Sequence, residues 1–177
     1  MTRANPLPAL WLISDARNDA ALERALAALP RGNALVFRHY HLDEQARRQR
    51  FEALAMAARA GGHLVILSGA AELAQEWCAD GIYGPADKLG NRPGLLRLAT
   101  AHDAQEIALA NAARVDGVFL SPVFPTRSHP GGASLGIGQF RTLAETAEMP
   151  VIALGGMTAA RARALDWPRW AAIDGLS

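Results

Sequence analysis

A single cysteine, Cys78, among 177 residues excludes an internal disulfide and gives no support to an oxidising compartment. Following Trp77 in a helical stretch, it reads as a small core residue rather than a nucleophile. No apolar run approaches the ~20 residues needed to cross a bilayer. The stretch from Met1 to Pro8 lacks the apolar segment of a signal peptide, so a cytoplasmic location is expected. Charge of one sign is also missing: Lys+Arg 18 against Asp+Glu 17 leaves +1, which makes no basic field for nucleic acid. Neither nucleic acid nor a membrane is therefore expected as a partner. The run Arg47-Arg48-Gln49-Arg50 lies in a helical pattern and reads as a solvated face. Linkers, internal repeats and low-complexity segments are absent from the sequence, as are a P-loop, a GxGxxG fingerprint and a recognisable Ser-His-Asp arrangement.

What remains is a chain whose hydrophobic fraction, 50%, suffices for one substantial core, and a single domain spanning 1–177 is expected. Apolar strand-like runs fall at Leu10–Ser14, Ala34–Tyr40, His63–Ser68, Gly81–Gly84, Leu95–Ala101, Gly117–Ser121, Val151–Leu154 and Ala171–Ile173. Alanine-rich helical stretches alternate with them at Asp19–Leu29, Asp43–Ala60, Ala70–Cys78, Asp103–Ala113, Ile137–Ala147 and Ala159–Leu165. Asp43 and Asp103 suit helix starts, because a carboxylate accepts from the first free amides. Phe51, Leu54, Ala55 and Ala58 recur on one helical face. The strands are near-continuous apolar runs, such as Leu64-Val65-Ile66-Leu67, as expected of parallel strands covered on both sides. Repeated strand–helix–strand order predicts an α/β architecture with a parallel sheet. Eight strands favour a compact (β/α)8 TIM-type barrel over an open doubly wound sheet, although ordinary barrels run to ~250 residues. The segment Lys88–Gly94 is too broken for a helix. Ser177 follows the eighth strand directly, so this expected barrel lacks its last helix.

In such a barrel the loops after the strands converge on one face. The strand ends carry Ser14/Asp15, Arg38, Ser68, Tyr83, Thr100/His102, Ser121, Gly155/Gly156 and Asp174. Gly155-Gly156-Met157-Thr158 is a phosphate-binding candidate, since glycines admit close backbone approach and a helix start offers free amides; ordinary turn chemistry explains it equally. Ser121–Gly132 is stiffened by three prolines and carries Thr126, Arg127, Ser128 and His129, groups suited to a phosphate or carboxylate. Gly131, Gly132 and Gly136 are candidate hinges, and a long solvated loop is the alternative. Arg38 is either an anion clamp at the barrel mouth or the partner of a nearby carboxylate. His39 and His41 are read as hydrogen-bonded or surface histidines in preference to metal ligands. His102 is a candidate acid, base or substrate donor, or a helix cap. Trp11, Trp77, Trp167 and Trp170 are read as packing residues.

Phe37-Arg38, Ala79-Asp80-Gly81-Ile82, Thr100-Ala101-His102, Pro122-Val123-Phe124-Pro125-Thr126 and Ala153-Leu154-Gly155-Gly156-Met157-Thr158 together resemble the thiamine phosphate synthase / TenI family across nearly the whole chain. The resemblance implies a (β/α)8 barrel, often a homodimer, that joins a pyrimidine methyl diphosphate to a thiazole phosphate and releases pyrophosphate. Arg, Lys and Mg²⁺ would stabilise the departing diphosphate; the TenI branch instead tautomerises a thiazole phosphate carboxylate with a histidine base. Carried over, Arg38 matches the diphosphate arginine. Thr100 stands where synthases have a serine, and Thr126 and Ser128 match two loop hydroxyls. Gly155 and Gly156 match the thiazole-phosphate glycines, and Ile173 matches a backbone donor. Departures are several. Val36-Phe37-Arg38-His39-Tyr40 lacks the family's glutamine and lysine, and Ser68-Gly69 replaces an Asn-Asp pair that helps hold Mg²⁺. Asp87 is the candidate second carboxylate, His129 replaces the loop lysine, Asp174 stands for a phosphate-binding serine, and Pro122 occupies the place of the TenI histidine.

Overall fold

The computed structural model describes residues 6–176. Eight parallel strands close into one barrel in chain order: β1 (Leu10–Ile13), β2 (Ala34–Phe37), β3 (Leu64–Ser68), β4 (Gly81–Pro85), β5 (Leu96–Ala101), β6 (Gly117–Leu120), β7 (Val151–Ala153) and β8 (Trp170–Ala172). The ring is completed by β1 against β8, Trp11 opposite Ala171. Between the strands run α1 (Leu22–Ala28), α2 (Glu44–Ala60), α3 (Ala71–Glu76), α4 (Ala104–Ala113), α5 (Gly136–Ala144) and α6 (Ala159–Leu165). A 3-10 turn, Ala86–Lys88, stands where the β4–β5 connection is too broken for a helix. Among the described residues no helix follows β8, and none is long and apolar enough to cross a membrane.

Strand alternation sorts the apolar residues into two cores. Trp11, Ile13, Val36, Ile66, Phe119 and Ile152 fill the barrel interior. Leu12, Leu35, Phe37 and Leu67 point outward into the layer between sheet and helices. There Phe37 meets Phe51 of α2 edge-on, ring centres 5.3 Å apart. The four buried residues of α2 are Phe51, Leu54, Ala55 and Ala58, the face that its period predicts. Asp43 caps this helix by accepting from Ala46 N at 2.8 Å, and Asp103 caps α4 by accepting from Glu106 N at 2.9 Å.

Several expectations are corrected. β2 stops at Phe37 rather than Tyr40, because His39 adopts a left-handed φ of 44° that no strand accommodates. The helix expected over Asp19–Leu29 starts as a 3-10 turn, Asp19–Ala21, and α5 ends at Ala144, short of Ala147. Cys78 is exposed, since the chain leaves α3 through a left-handed turn at this residue, φ 56°, that carries the side chain away from the core.

The Arg47–Arg50 stretch is not simply a solvated face either. Arg47 lies half-buried over the rings of Phe37, Tyr40 and Trp77, with its guanidinium 5.5, 5.8 and 5.6 Å from their centres. It donates to the carbonyls of Arg38 (2.9 Å) and Ser68 (2.7 Å), fixing the ends of β2 and β3. Arg50 donates to Asp19 Oδ1 at 2.7 Å and to Glu23, tying α2 to α1. Of its three arginines only Arg48, paired with Glu52 and Glu76 in solvent, fits the expectation.

Candidate active site at the carboxyl end of the barrel

The ends of β1 and β2 build the first wall. Arg38 donates its amide to Ser14 Oγ at 2.8 Å, its Nε to the Ser14 carbonyl at 3.2 Å and its Nη2 to Asp15 Oδ2 at 2.7 Å. The guanidinium lines the mouth and is paired with a carboxylate, the second of the two alternatives read from the sequence. Behind it runs a string that the sequence did not reveal. Ser14 Oγ lies 2.8 Å from His39 Nδ1, and His39 Nε2 lies 2.7 Å from Asp19 Oδ1. Burial pushes the His39 pKa below its ordinary value, against the pull of Asp19. Burial also works to raise Asp19, but its bonds from His39 and Arg50 prevail and hold the carboxyl below the ordinary value. Ionised Asp19 thus accepts a hydrogen bond from the Nε2–H of neutral His39, Nδ1 accepts from the Ser14 hydroxyl, and Ser14 Oγ accepts from the Arg38 amide. These are the residue types of a hydrolase triad. Ser14 is fully buried, however, so the string orients Arg38 and attacks nothing.

Next round the ring, Tyr40 hydrogen-bonds Ser68 at the end of β3. Tyr83 of β4 is buried in the barrel with its ring edge on Phe119, and burial pushes its pKa up to about 12, so it stays a neutral hydroxyl. Thr100 faces the same side as Tyr40. His102, after β5, is bound twice to Glu106 Oε2, from its amide at 2.6 Å and from Nδ1 at 2.8 Å, which is the cap arrangement.

The backbone of the loop after β6 is anchored to the barrel at its base. Val123 and Phe124 donate to the carbonyls of Leu154 (2.9 Å) and Gly155 (3.1 Å), and Leu135 and Gly136 donate back to Pro122 and Val123 (2.8 Å each). Its tip carries Thr126, Ser128 and His129 over the barrel. Thr126 Oγ1 accepts from Ser128 N at 3.2 Å, and Ser128 Oγ accepts from Arg17 Nη2 at 3.0 Å, so both hydroxyls keep a proton to donate. Beneath lie Gly155 (φ 101°) and Gly156 (φ 60°). A Cβ on them would stand 2.5 Å from Pro122 Cα and 2.4 Å from the Pro125 carbonyl, so only glycine fits. Their amides donate to no acceptor among the described residues. α6 is short and Thr158 caps its Arg161 amide, so the site there consists of the loop amides rather than a helix end.

Two cavities of about 540 and 530 Å³ occupy this end, sharing Arg38, Tyr83, His102 and Ser121 as a common wall. The first takes in Thr126, Ser128, His129, Gly155, Gly156 and Ile173, predicted site residues from three distant stretches of chain. The second takes in Thr100 with Tyr40, Ser68 and Lys88. Asp87 is exposed in the 3-10 turn and lines neither cavity. Sequence reasoning missed Arg17 and Arg161, both lining the first cavity. Arg17 pairs with Asp174 at 3.2 Å, and Arg161 lies over the Phe124 ring at 5.1 Å and donates to the Gly156 carbonyl at 2.6 Å. Their places, Arg17 in the connection after β1 and Arg161 in the first turn of the helix after β7, were the available signal.

The donor set does not fit the Mg²⁺ that the resemblance implies. Ser68-Gly69 offers no carboxylate, Asp15 is committed to Arg38, and no group of three potential ligands exists among the described residues.

The sequence profile of the thiamine monophosphate synthase family matches residues 10–167. A thiamine-phosphate synthase of Mycobacterium sp. (strain JLS) is 31% identical over 174 residues, covering 86% of this chain and 76% of that protein. Its counterpart in Roseiflexus castenholzii is 31% identical over 181 residues, covering 89% and 77%. Among solved structures, the thiamine phosphate pyrophosphorylase of Pyrococcus furiosus superposes with a TM-score of 0.77 at 22% identity, covering 93% of this chain and 85% of that one. That of Bacteroides thetaiotaomicron gives 0.61 at 14%, covering 94% and 83%. At such identities these two likenesses speak for the fold, while the profile and the sequence relatives speak for kinship: the chain belongs to the thiamine monophosphate synthase family.

Proposed function

We propose that the chain is a thiamine-phosphate synthase-type transferase, joining a pyrimidine methyl diphosphate to a thiazole phosphate with release of pyrophosphate. The observation that carries this reading is the pair of contiguous cavities divided by Arg38, of a size for two small ligands. The first would hold the thiazole phosphate through the amides of Gly155 and Gly156, the hydroxyls of Thr126 and Ser128, and the guanidinium groups around them. The second would hold the pyrimidine against Tyr83, Thr100 and Tyr40. In the reaction the C–O bond to the diphosphate breaks and its electron pair leaves with the diphosphate. The thiazole nitrogen then gives its lone pair to the exposed methylene carbon. Such a step needs no general base; it needs two substrates aligned and a leaving group whose charge is met. Arg38, held rigid by three bonds and standing between the cavities, is the residue for that charge, and His129 at the flap tip is the second. No step is routed through Mg²⁺, whose donors the chain does not supply.

The test is incubation of the protein with both substrates and assay for thiamine phosphate; formation above background supports the transferase. Arg38→Gln is expected to lower turnover by about a hundredfold, since one preorganised charge contact contributes roughly 2–4 kcal/mol to the transition state. Two observations favour a second reading, a non-catalytic binder of thiamine-related phosphates: Arg38 is already satisfied by Asp15, and the cavity beside Ser68-Gly69 is lined by no carboxylate among the described residues. Thiazole phosphate binding without turnover selects that reading.

A further inference from the structure

Among the described residues Asp174 is the only carboxylate lining the first cavity, beside Arg17, Arg38, Arg127, Arg161 and two histidines. An unpaired acid there would repel a phosphate. Asp174 is not unpaired: its Oδ1 accepts from Arg17 Nε at 3.2 Å. Arg17 reaches it from the loop after β1, 157 residues away in sequence, and its Nη2 crosses to Ser128 on the flap at 3.0 Å. The other arginines are differently placed. Arg38 gives its fork to Asp15 and Ser14, Arg161 gives Nη1 to a carbonyl, and Arg127 hangs exposed on the flap. Arg17 spends two of its five guanidinium protons, leaving Nη1 and one Nη2 proton free beside a hydroxyl that can still donate.

We propose that Arg17 is the specificity-determining arm for a phosphate monoester in this site, and that Asp174 is its counter-ion, parking it beside the Ser128 hydroxyl while the cavity is empty. The pair accounts for an acid at the edge of an anion site: with Arg17 opposite, Asp174 adds no net repulsion and orients the fork. A phosphate dianion entering the cavity is met by the free Arg17 protons, the Ser128 hydroxyl and the Gly155 and Gly156 amides. This inference rests on the reading of the first cavity as the thiazole phosphate site.

The experiment is a double-mutant cycle on binding, by calorimetry, with thiazole phosphate and inorganic phosphate as probes and the unphosphorylated thiazole as control. Arg17→Gln is expected to weaken both phosphates by about tenfold or more and to leave the control unchanged. The loss should shrink with added salt, as a charge contact does. In the Arg17→Gln background Asp174→Ser should recover several-fold in affinity, because the acid is then unpaired; with Arg17 present it should change affinity much less. Equal melting temperatures identify these as binding effects, and Arg17→Lys, which keeps the charge, should retain part of the affinity. Wild-type phosphate affinity in Arg17→Gln, or the same Asp174→Ser effect in both backgrounds, overturns the inference while leaving the site reading intact. Failure of the wild-type protein to bind thiazole phosphate overturns both.

Discussion

At φ 101° Gly155 sits in backbone that L side chains rarely adopt, and any Cβ would strike Pro122 Cα at 2.5 Å. Gly155→Ala is therefore expected to cost about 2–4 kcal/mol in urea unfolding, combining strain with a backbone clash, and to abolish thiazole phosphate binding. His39 gives a second test. Its folded pKa is depressed below the ordinary 6.5, so the unfolded chain binds a proton that the folded one resists. Stability from this source is complete above pH 6.5 and is lost as pH falls through the folded value. Asp19, depressed below 3.8, adds its own loss only under more acidic conditions. His39→Gln should flatten the decline of the urea midpoint between about pH 7 and pH 5. Residues of this kind were unevenly legible. Gly155 and Gly156 were legible as a glycine pair at a strand end, which ordinary turn chemistry explained equally, and their left-handed backbone and close neighbours emerge only from the fold. Arg17 and the Ser14–His39–Asp19 string did not, because each is defined by partners that only the closed barrel brings together.

Single elements show the same division. α2 was readable almost to the residue, because Phe51, Leu54, Ala55 and Ala58 obey the helical period and Asp43 is a strong cap. Asp43→Ala should lower stability by about 1 kcal/mol, read from the urea midpoint. The polar side of the same helix was misread, since no periodicity reports that Arg47 stacks on three rings or that Arg50 bridges two carboxylates. Arg48→Ala should leave the midpoint where it is, and Arg50→Ala should lower it clearly, the bond to Asp19 being less open to solvent. β2 misled for a local reason. Val36 and Phe37 fit a strand, and nothing in the residue types announces the left-handed turn at His39 that ends it.

On the scale of the whole molecule the architecture was legible from the count and order of the apolar runs, and the convergence of loops at one face follows from it. Saturation with thiazole phosphate at a hundred times its dissociation constant should add about 2.7 kcal/mol of stability. In a chain of this size that raises the melting temperature by roughly 5–10 °C. Because the donor set suits no Mg²⁺ ion, the rise should be the same in EDTA as in MgCl2, a comparison made by differential scanning fluorimetry.

Closure of the ring has a further consequence for how the molecule assembles. Arg17 and Asp174 belong to segments that follow β1 and β8, and they become neighbours only when those strands zip together. On the proposed role of Arg17, affinity for phosphate would report circularisation: a chain whose β1–β8 seam is open would lack the completed cup. Following anion binding during refolding would time the final seam of the barrel separately from the growth of its secondary structure.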